Sequence, residues 1–368
     1  MGGSPMAETQ NIVVGVPRES APGERRVALV PKVVGRLRAS GLNVVVEPGA
    51  GGGALMSDWL YEEAGATLGD PWTCDVVVKV AAPTDEEIGR LKPGSVLIGF
   101  LGAQSQNSGI ADALATRDVY GLAMEAIPRI SRAQSMDALS SQSSVAGYLA
   151  ALLGAQHLTR FYPMLTTAAG TVAPAKTLVL GAGVAGLQAL ATARRLGAQT
   201  TGYDVRPEVA EQVRSVGSKW LDLGIEAVGE GGYARALTDD ERAEQLKRLN
   251  EAVIGYDVVI TTAQVPGRKA PVLVTEDSVT AMRAGSVVVD LAGESGGNCE
   301  VSVPGEVVVR HGVTIVAPLN LPASMPESAS ELYSRNVQSL LELLITDGRV
   351  KLDFDDEIVA SACVTRRS

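Results

Sequence analysis

The chain has 368 residues, 46% hydrophobic and 20% charged, with a net charge of −10, which excludes a largely disordered protein and offers no basic face to a nucleic-acid backbone. That length exceeds one comfortable core and predicts two domains, and 4% aromatic content leaves Val, Ala and Leu to fill them. Three widely spaced cysteines, Cys74, Cys299 and Cys363, fit reduced thiols in a reducing compartment, and no Cys/His cluster has metal-ligand spacing.

From the amino terminus, MGGSPM resembles a cloning remnant ahead of Met6, and no basic-then-apolar secretory pattern follows. Short β-branched runs then alternate with helix-length segments: IVVGV at 12–16, NVVVEP at 43–48, DVVVKV at 75–80, SVLIGF at 95–100 and VYGLAM at 119–124, with PKVVGRLRAS and DEEIGRL among the connections. The runs are continuously apolar, as parallel strands covered on both faces require. The glycine cluster EPGAGGGAL at 47–55 opens no helix and reads as a turn. Residues 137–160 have helical spacing of Leu, Ala and Val and predict a connecting helix.

A second set repeats the plan: TLVLGAG at 177–183, QTTGYDV at 199–205, DVVITTA at 257–263, SVVVDLA at 286–292 and VTIVAP at 313–318. Four glycines in 223–237 suggest a mobile loop before the helix TDDERAEQLKRLNEAV. Near 320 a proline-marked turn precedes a capped helix starting near Ser324, with an apolar face of Leu332, Val337, Leu340 and Leu341. The expected architecture is α/β: two Rossmann-like, doubly wound parallel-sheet domains with a cleft between them. The first would be discontinuous, 6–136 with 325–368, and the second would span 137–324. No run reaches the ~18 apolar residues of a spanning helix, so a soluble chain is expected.

Gly181-Ala182-Gly183-Val184-Ala185-Gly186 follows an apolar strand and opens the helix VAGLQALATARRLG, the context in which G-x-G-x-x-G reads as a dinucleotide turn. Gly181 permits the tight turn, Gly183 the approach of backbone to a pyrophosphate, and Gly186 close helix packing, while free helix amides supply the donors. Asp204 ends the next strand, 23 positions after Gly181, where a carboxylate binds the adenine-side ribose and repels a 2′-phosphate. NAD(H) is therefore preferred to NADP(H), with neighbouring Arg206 keeping the second open.

RISRAQSMDALSSQ at 129–142, GAGVAGLQA at 181–189 and GYDVRPEVAEQVRSVG at 202–217 resemble the NAD(H)-binding domain of proton-translocating nicotinamide nucleotide transhydrogenase. VPRES and ERRVALVP near the start, TTAQVPGRKAPVL at 261–273 and DLAGESGGNCE at 290–300 extend the resemblance over nearly the whole chain. It implies an enzyme of the Si-specific, proton-translocating type, in which this component passes hydride from NADH to NADP+ on an NADP(H)-binding partner while a membrane-spanning partner moves protons. It also implies a homodimer, cytoplasmic and peripheral on the inner membrane. Arg129, Gln134, Asp137 and Ser140 match positions that orient the nicotinamide, its ribose and the pyrophosphate, and Ile130, Ser131, Arg132, Val184, Ala185, Val205, Arg206 and Gln264 match nucleotide contacts. Gly232 and Tyr233 match the tip of a loop that closes on the nucleotide.

Alanine dehydrogenases resemble the same architecture, and Arg26 and Lys79 match basic positions that they use for substrate. Oxidising an amine requires a placed base or acid, yet where those relatives carry histidine in FLH this chain reads Phe100-Leu101-Gly102, and Glu294 stands near the strand end where they place aspartate. His157 and His311 read as structural. A non-catalytic NAD(H) sensor is the third reading, disfavoured by polar groups gathered for a nicotinamide rather than for adenosine alone.

Overall fold

The computed structural model describes residues 12–102, 109–224, 238–264 and 269–365, the side chain of Asp239 excepted. The chain divides into two compact units, 1–142 with 322–368 and 143–321.

In the first unit, the strands are β1 (Val13–Val16), β2 (Asn43–Val46), β3 (Thr67–Leu68), β4 (Val76–Val78), β5 (Val96–Gly99) and β6 (Tyr120–Ala123). They form one sheet in the order β3-β2-β1-β4-β5-β6, every pairing parallel. The crossovers carry α1 (Pro31–Ala39), α2 (Asp58–Glu63), α3 (Asp85–Arg90) and α4 (Ile110–Thr116). Thr84 and Glu87 start α3 with a reciprocal capping box. Val76, Val77 and Val78 are all fully buried, because helices cover both faces of a central parallel strand.

The helix α5 (Ala138–His157) spans the boundary at residue 142. The second unit contains the small hairpin β7 (Leu165–Thr167) and β8 (Gly170–Val172), then β9 (Lys176–Leu180), α6 (Val184–Arg195), β10 (Gln199–Tyr203), α7 (Ala210–Ser215), β11 (Lys219–Trp220), α8 (Asp239–Val253) and β12 (Val258–Thr261). It continues with α9 (Glu276–Ala281), β13 (Val287–Asp290), β14 (Val307–Arg310) and β15 (Val313–Val316). The main sheet runs β11-β10-β9-β12-β13-β15-β14. It is parallel except for β14, which pairs antiparallel with β15. That edge strand departs from the all-parallel expectation, and a two-residue turn with His311 at φ +52 and Gly312 at φ +79 makes it possible.

The chain closes in the first unit with α10 (Pro326–Leu344), the hairpin β16 (Ile345–Thr346) and β17 (Arg349–Val350), and α11 (Glu357–Ala362). Entry into α10 differs from expectation. Met325 holds the N-cap position without a side-chain cap bond and Pro326 presets the first turn, so the helix begins two residues beyond Ser324. Its buried face centres on Tyr333, Val337, Leu340, Leu341 and Leu344, with Leu332 half-buried.

Candidate functional site

The second sheet changes winding direction between β9 and β12, and in open sheets a crevice for ligands forms at such a point beyond the carboxyl ends of the strands. There lies the glycine turn, and its three glycines differ in what a side chain at each would meet. Gly181 sits at φ +97, and a Cβ on it would meet the Thr262 Oγ1 at 2.7 Å. A Cβ on Gly186 would lie 1.8 Å from the Gly181 carbonyl oxygen, so α6 packs against the turn only without one. A Cβ on Gly183 would meet nothing within 4 Å. Gly183 therefore serves no packing need, and the open space in front of it is what a closely approaching pyrophosphate would use. It is also the N-cap of the twelve-residue α6, and a glycine there has no side chain to cap the first amides. The residues present fit a dinucleotide.

Asp204, just past β10, is 7% exposed. Its Oδ2 accepts from Ala182 N at 2.9 Å and Arg206 Nη2 at 3.1 Å, and its Oδ1 from Arg206 N at 3.0 Å and Arg206 Nε at 2.9 Å. Burial works against the charge. The Arg206 side chain and backbone and the Ala182 amide outweigh it, holding the carboxyl below the ordinary aspartate value. Asp204 thus ties the end of β10 to the turn, and a hydroxyl approaching its carboxylate would have to exchange with an Arg206 bond. Val184 and Val205 are 42% and 65% exposed. Ala185 is packed under α5, its carbonyl oxygen lying 2.1 Å from where a Cβ on Gly147 would stand.

The segment 129–142 lies in the first unit. Ser131–Met136 form a 3₁₀ turn, and Asp137 then caps α5, accepting from Ser140 N at 2.9 Å and Ser140 Oγ at 2.6 Å. Arg129 and Gln134 are exposed, and no side-chain hydrogen bond engages either among the described residues. Arg132 makes a bidentate pair with Asp356 at the start of α11, at 2.7 and 2.8 Å, which gives it a structural partner. Ile130 is half-buried against the first core, and Ser131 is exposed. The structure thus brings Gly181, Gly183, Gly186, Asp204 and Arg206 together in one unit and Asp137 with Ser140 in the other. Gly232 and Tyr233 lie outside the described residues.

Sequence reasoning missed the support behind the turn. Thr262 donates its hydroxyl to the Gly181 carbonyl at 2.9 Å, and Gln264, expected to contact the nucleotide, donates its side-chain NH2 to Leu291 O at 2.8 Å. Asn298, fully buried, bonds both backbone groups of Ala263. The available signal was an asparagine behind Gly296-Gly297, whose φ values of +99 and +80 turn the chain back toward β12.

Arg26 and Lys79 have partners within the first unit. Arg26 chelates Glu24 at 2.6 and 2.8 Å and donates to Gln142 Oε1 at 2.8 Å. Lys79, fully buried, lies 3.3 Å from Glu19 and 3.2 Å from Glu87 and over the Trp72 ring. Burial raises the Glu19 carboxyl above its usual value against the pull of Lys79 and the Val80 and Ala81 amides. His311 stands in the β14–β15 turn and contacts Glu276 at 3.1 Å.

Residues 15–146 match the family described as alanine dehydrogenase/PNT, N-terminal domain, and residues 150–368 match its C-terminal domain. A Rhodospirillum rubrum protein named as the first part of NAD(P) transhydrogenase subunit alpha is 45% identical, over 96% of each chain. A solved transhydrogenase from Sinorhizobium meliloti superposes with a TM-score of 0.86 at 43% identity, covering 95% of this chain and 97% of that one. An alanine dehydrogenase of Staphylococcus saprophyticus is 30% identical over 92% of this chain and 89% of its own.

Proposed function

The chain belongs to the family of NAD(P) transhydrogenase alpha subunits, within the wider alanine dehydrogenase/PNT family, and from that membership we propose that it is the NAD(H)-binding component of a proton-translocating transhydrogenase. The observation that carries the nucleotide reading is the glycine turn, where Gly186 is forced by packing and Gly183 by nothing inside the protein.

When bound, NADH supplies the hydride, and NADP+ on a partner component accepts it. The protein's own work is positioning. Free amides at the start of α6 take the pyrophosphate, and Asp204 takes the adenine-side ribose in exchange for an Arg206 bond. Its carboxylate disfavours a 2′-phosphate. Arg129 and Gln134, with side chains uncommitted, orient the nicotinamide end. Asp137 and Ser140 offer a hydroxyl and carboxylate already aligned on each other, and Val184 and Val205 flank the adenosine. Transfer of hydride between two nicotinamide carbons removes no heteroatom proton, so no general base is required, in keeping with Gly102 in place of histidine.

Proton movement is assigned to a membrane-spanning partner. No helix among the described residues is long and apolar enough to cross a membrane. From its family we place this component at the cytoplasmic face, held there by its partners. The homodimer reading has support in the hairpin β7–β8, near which Phe161 and Met164 are 55% and 64% exposed.

The alternative, an alanine-type dehydrogenase, is favoured by the 30% identity to such an enzyme. It is disfavoured by the carboxylates that neutralise Arg26 and Lys79. The test supplies NADPH and an acetylpyridine analogue of NAD+ together with the NADP(H)-binding partner. Partner-dependent reduction, lost on Arg129→Ala or Gln134→Ala, supports the proposal. Oxidation of alanine without the partner sinks it, and NADH binding with neither reaction indicates a sensor.

A further inference from the structure

The ends of β12 and β13 carry a hydrogen-bond network that the hydride chemistry above does not use. Asp290, fully buried, accepts from Thr261 Oγ1 at 2.9 Å, Ala292 N at 3.0 Å, Asn298 N at 2.9 Å, Cys299 N at 3.0 Å and Ser302 Oγ at 2.7 Å. Five donors on one carboxylate fix the chain that returns after β13, and with it Asn298. The Asn298 amide is itself fully used. Nδ2 donates to Ala263 O and Pro271 O, each at 2.8 Å, and Oδ1 accepts from Ala263 N at 3.0 Å. Both backbone groups of Ala263, two residues beyond β12, are therefore held by one side chain acting as a substitute strand partner. Immediately before it, Thr262 donates its backbone N–H to Leu180 O at 2.8 Å and its hydroxyl to the Gly181 carbonyl.

We propose that Asn298 is a positioning residue that holds the backbone of 262–264 as a fixed wall of the nicotinamide half of the dinucleotide site. The proposal rests on the NAD(H) reading above and follows from the strand order. The glycine turn after β9 takes the pyrophosphate, and Asp204, after β10, marks the adenine side. The other half of the ligand then extends over the strand on the opposite side of β9, which is β12. The N–H and C=O of Ala263 are both engaged by Asn298, so its main contribution is shape, set by that side chain. An aspartate at 298 has the size of asparagine but turns the donor face into an oxygen opposed to two carbonyl oxygens, driving 263 and 271 apart.

The experiment is calorimetric titration of the full chain and of Asn298→Asp with NADH and, separately, with 5′-AMP, which reports the adenine half alone. Asn298→Asp is expected to weaken NADH about tenfold, the effect of ~1.4 kcal/mol from buried carbonyls left unpaired, and to change 5′-AMP affinity less than twofold. Equal loss for both ligands, or for neither, overturns the assignment, since general destabilisation has no reason to distinguish the halves. Wild type that binds 5′-AMP but not NADH overturns the NAD(H) reading itself. Should the variant not fold, hydrogen exchange of the wild-type Ala263 amide decides: protection matching Ile260 supports the wall, and exchange at loop rates overturns it.

Discussion

At the glycine turn one methyl group produces two separable failures. Gly183→Ala adds its Cβ to open space, so the fold should keep its melting temperature while NADH affinity falls by tenfold or more. Gly186→Ala drives a Cβ against the Gly181 carbonyl and should cost about 1–3 kcal/mol of stability as the helix is pushed off the sheet. Melting curves beside NADH titrations check both. A Gly183→Ala protein that binds NADH as wild type does would remove the pyrophosphate from this turn. Asp204 gives a pH signature. Its folded value lies below 3.8, so its stabilising bonds are complete above that unfolded value and are lost as pH falls through the lower folded one. Its contribution to NADH binding should accordingly be level from pH 8 to pH 5, with Asp204→Asn weakening affinity at every point. Burial raises the Cys74 and Cys299 thiols to about 11. Alkylation at neutral pH should therefore leave both unmodified until the chain is unfolded.

The elements show which physical signals a sequence exposes. The ten anticipated strands all form, most of them valine-rich runs of the kind that parallel strands covered on both faces require. The hairpin β7–β8 was illegible: Thr166, Thr167 and Thr171 are exposed and have no core to impose an apolar period. β14 was missed for a related reason, its Val307 and Val309 being 54% and 61% exposed, and its turn uses His-Gly rather than the Asn-Gly that advertises a hairpin. Within the candidate site, the glycine turn and Asp204 stand in a short motif and were readable, whereas Asp290 and Asn298 act through partners 2 to 35 positions away. Asp137, read as a ligand contact, is also the cap of α5. Asp137→Ala should then lower stability by about 1 kcal/mol in addition to any loss in hydride transfer, as denaturant titration would report. Lys79→Met leaves Glu19 and Glu87 buried beside each other without a counter-charge, a loss of about 3–5 kcal/mol. An unchanged denaturation midpoint would show that the first unit does not depend on this cluster.

Across the whole molecule the first unit is assembled from the two ends of the chain. Tyr333, Val337, Leu340, Leu341 and Leu344 of α10 are fully buried in the core that β1 and β2 build, and Tyr333 donates to the Lys79 carbonyl at 2.7 Å. Truncation after Leu321 should abolish the first unit's calorimetric transition and leave one for the second, which is continuous in sequence. The bonds from Val27 N to Ser330 Oγ and from Val30 N to Ser334 Oγ span 303 and 304 positions. On the ribosome that separation becomes time. At synthesis rates of about 5–20 residues per second, roughly 15–60 s pass between the making of β1 and of the helix that seals it. The strands born first thus belong to the unit that closes last, and their apolar faces stay open to chaperones or to other nascent chains for an interval that translation speed determines.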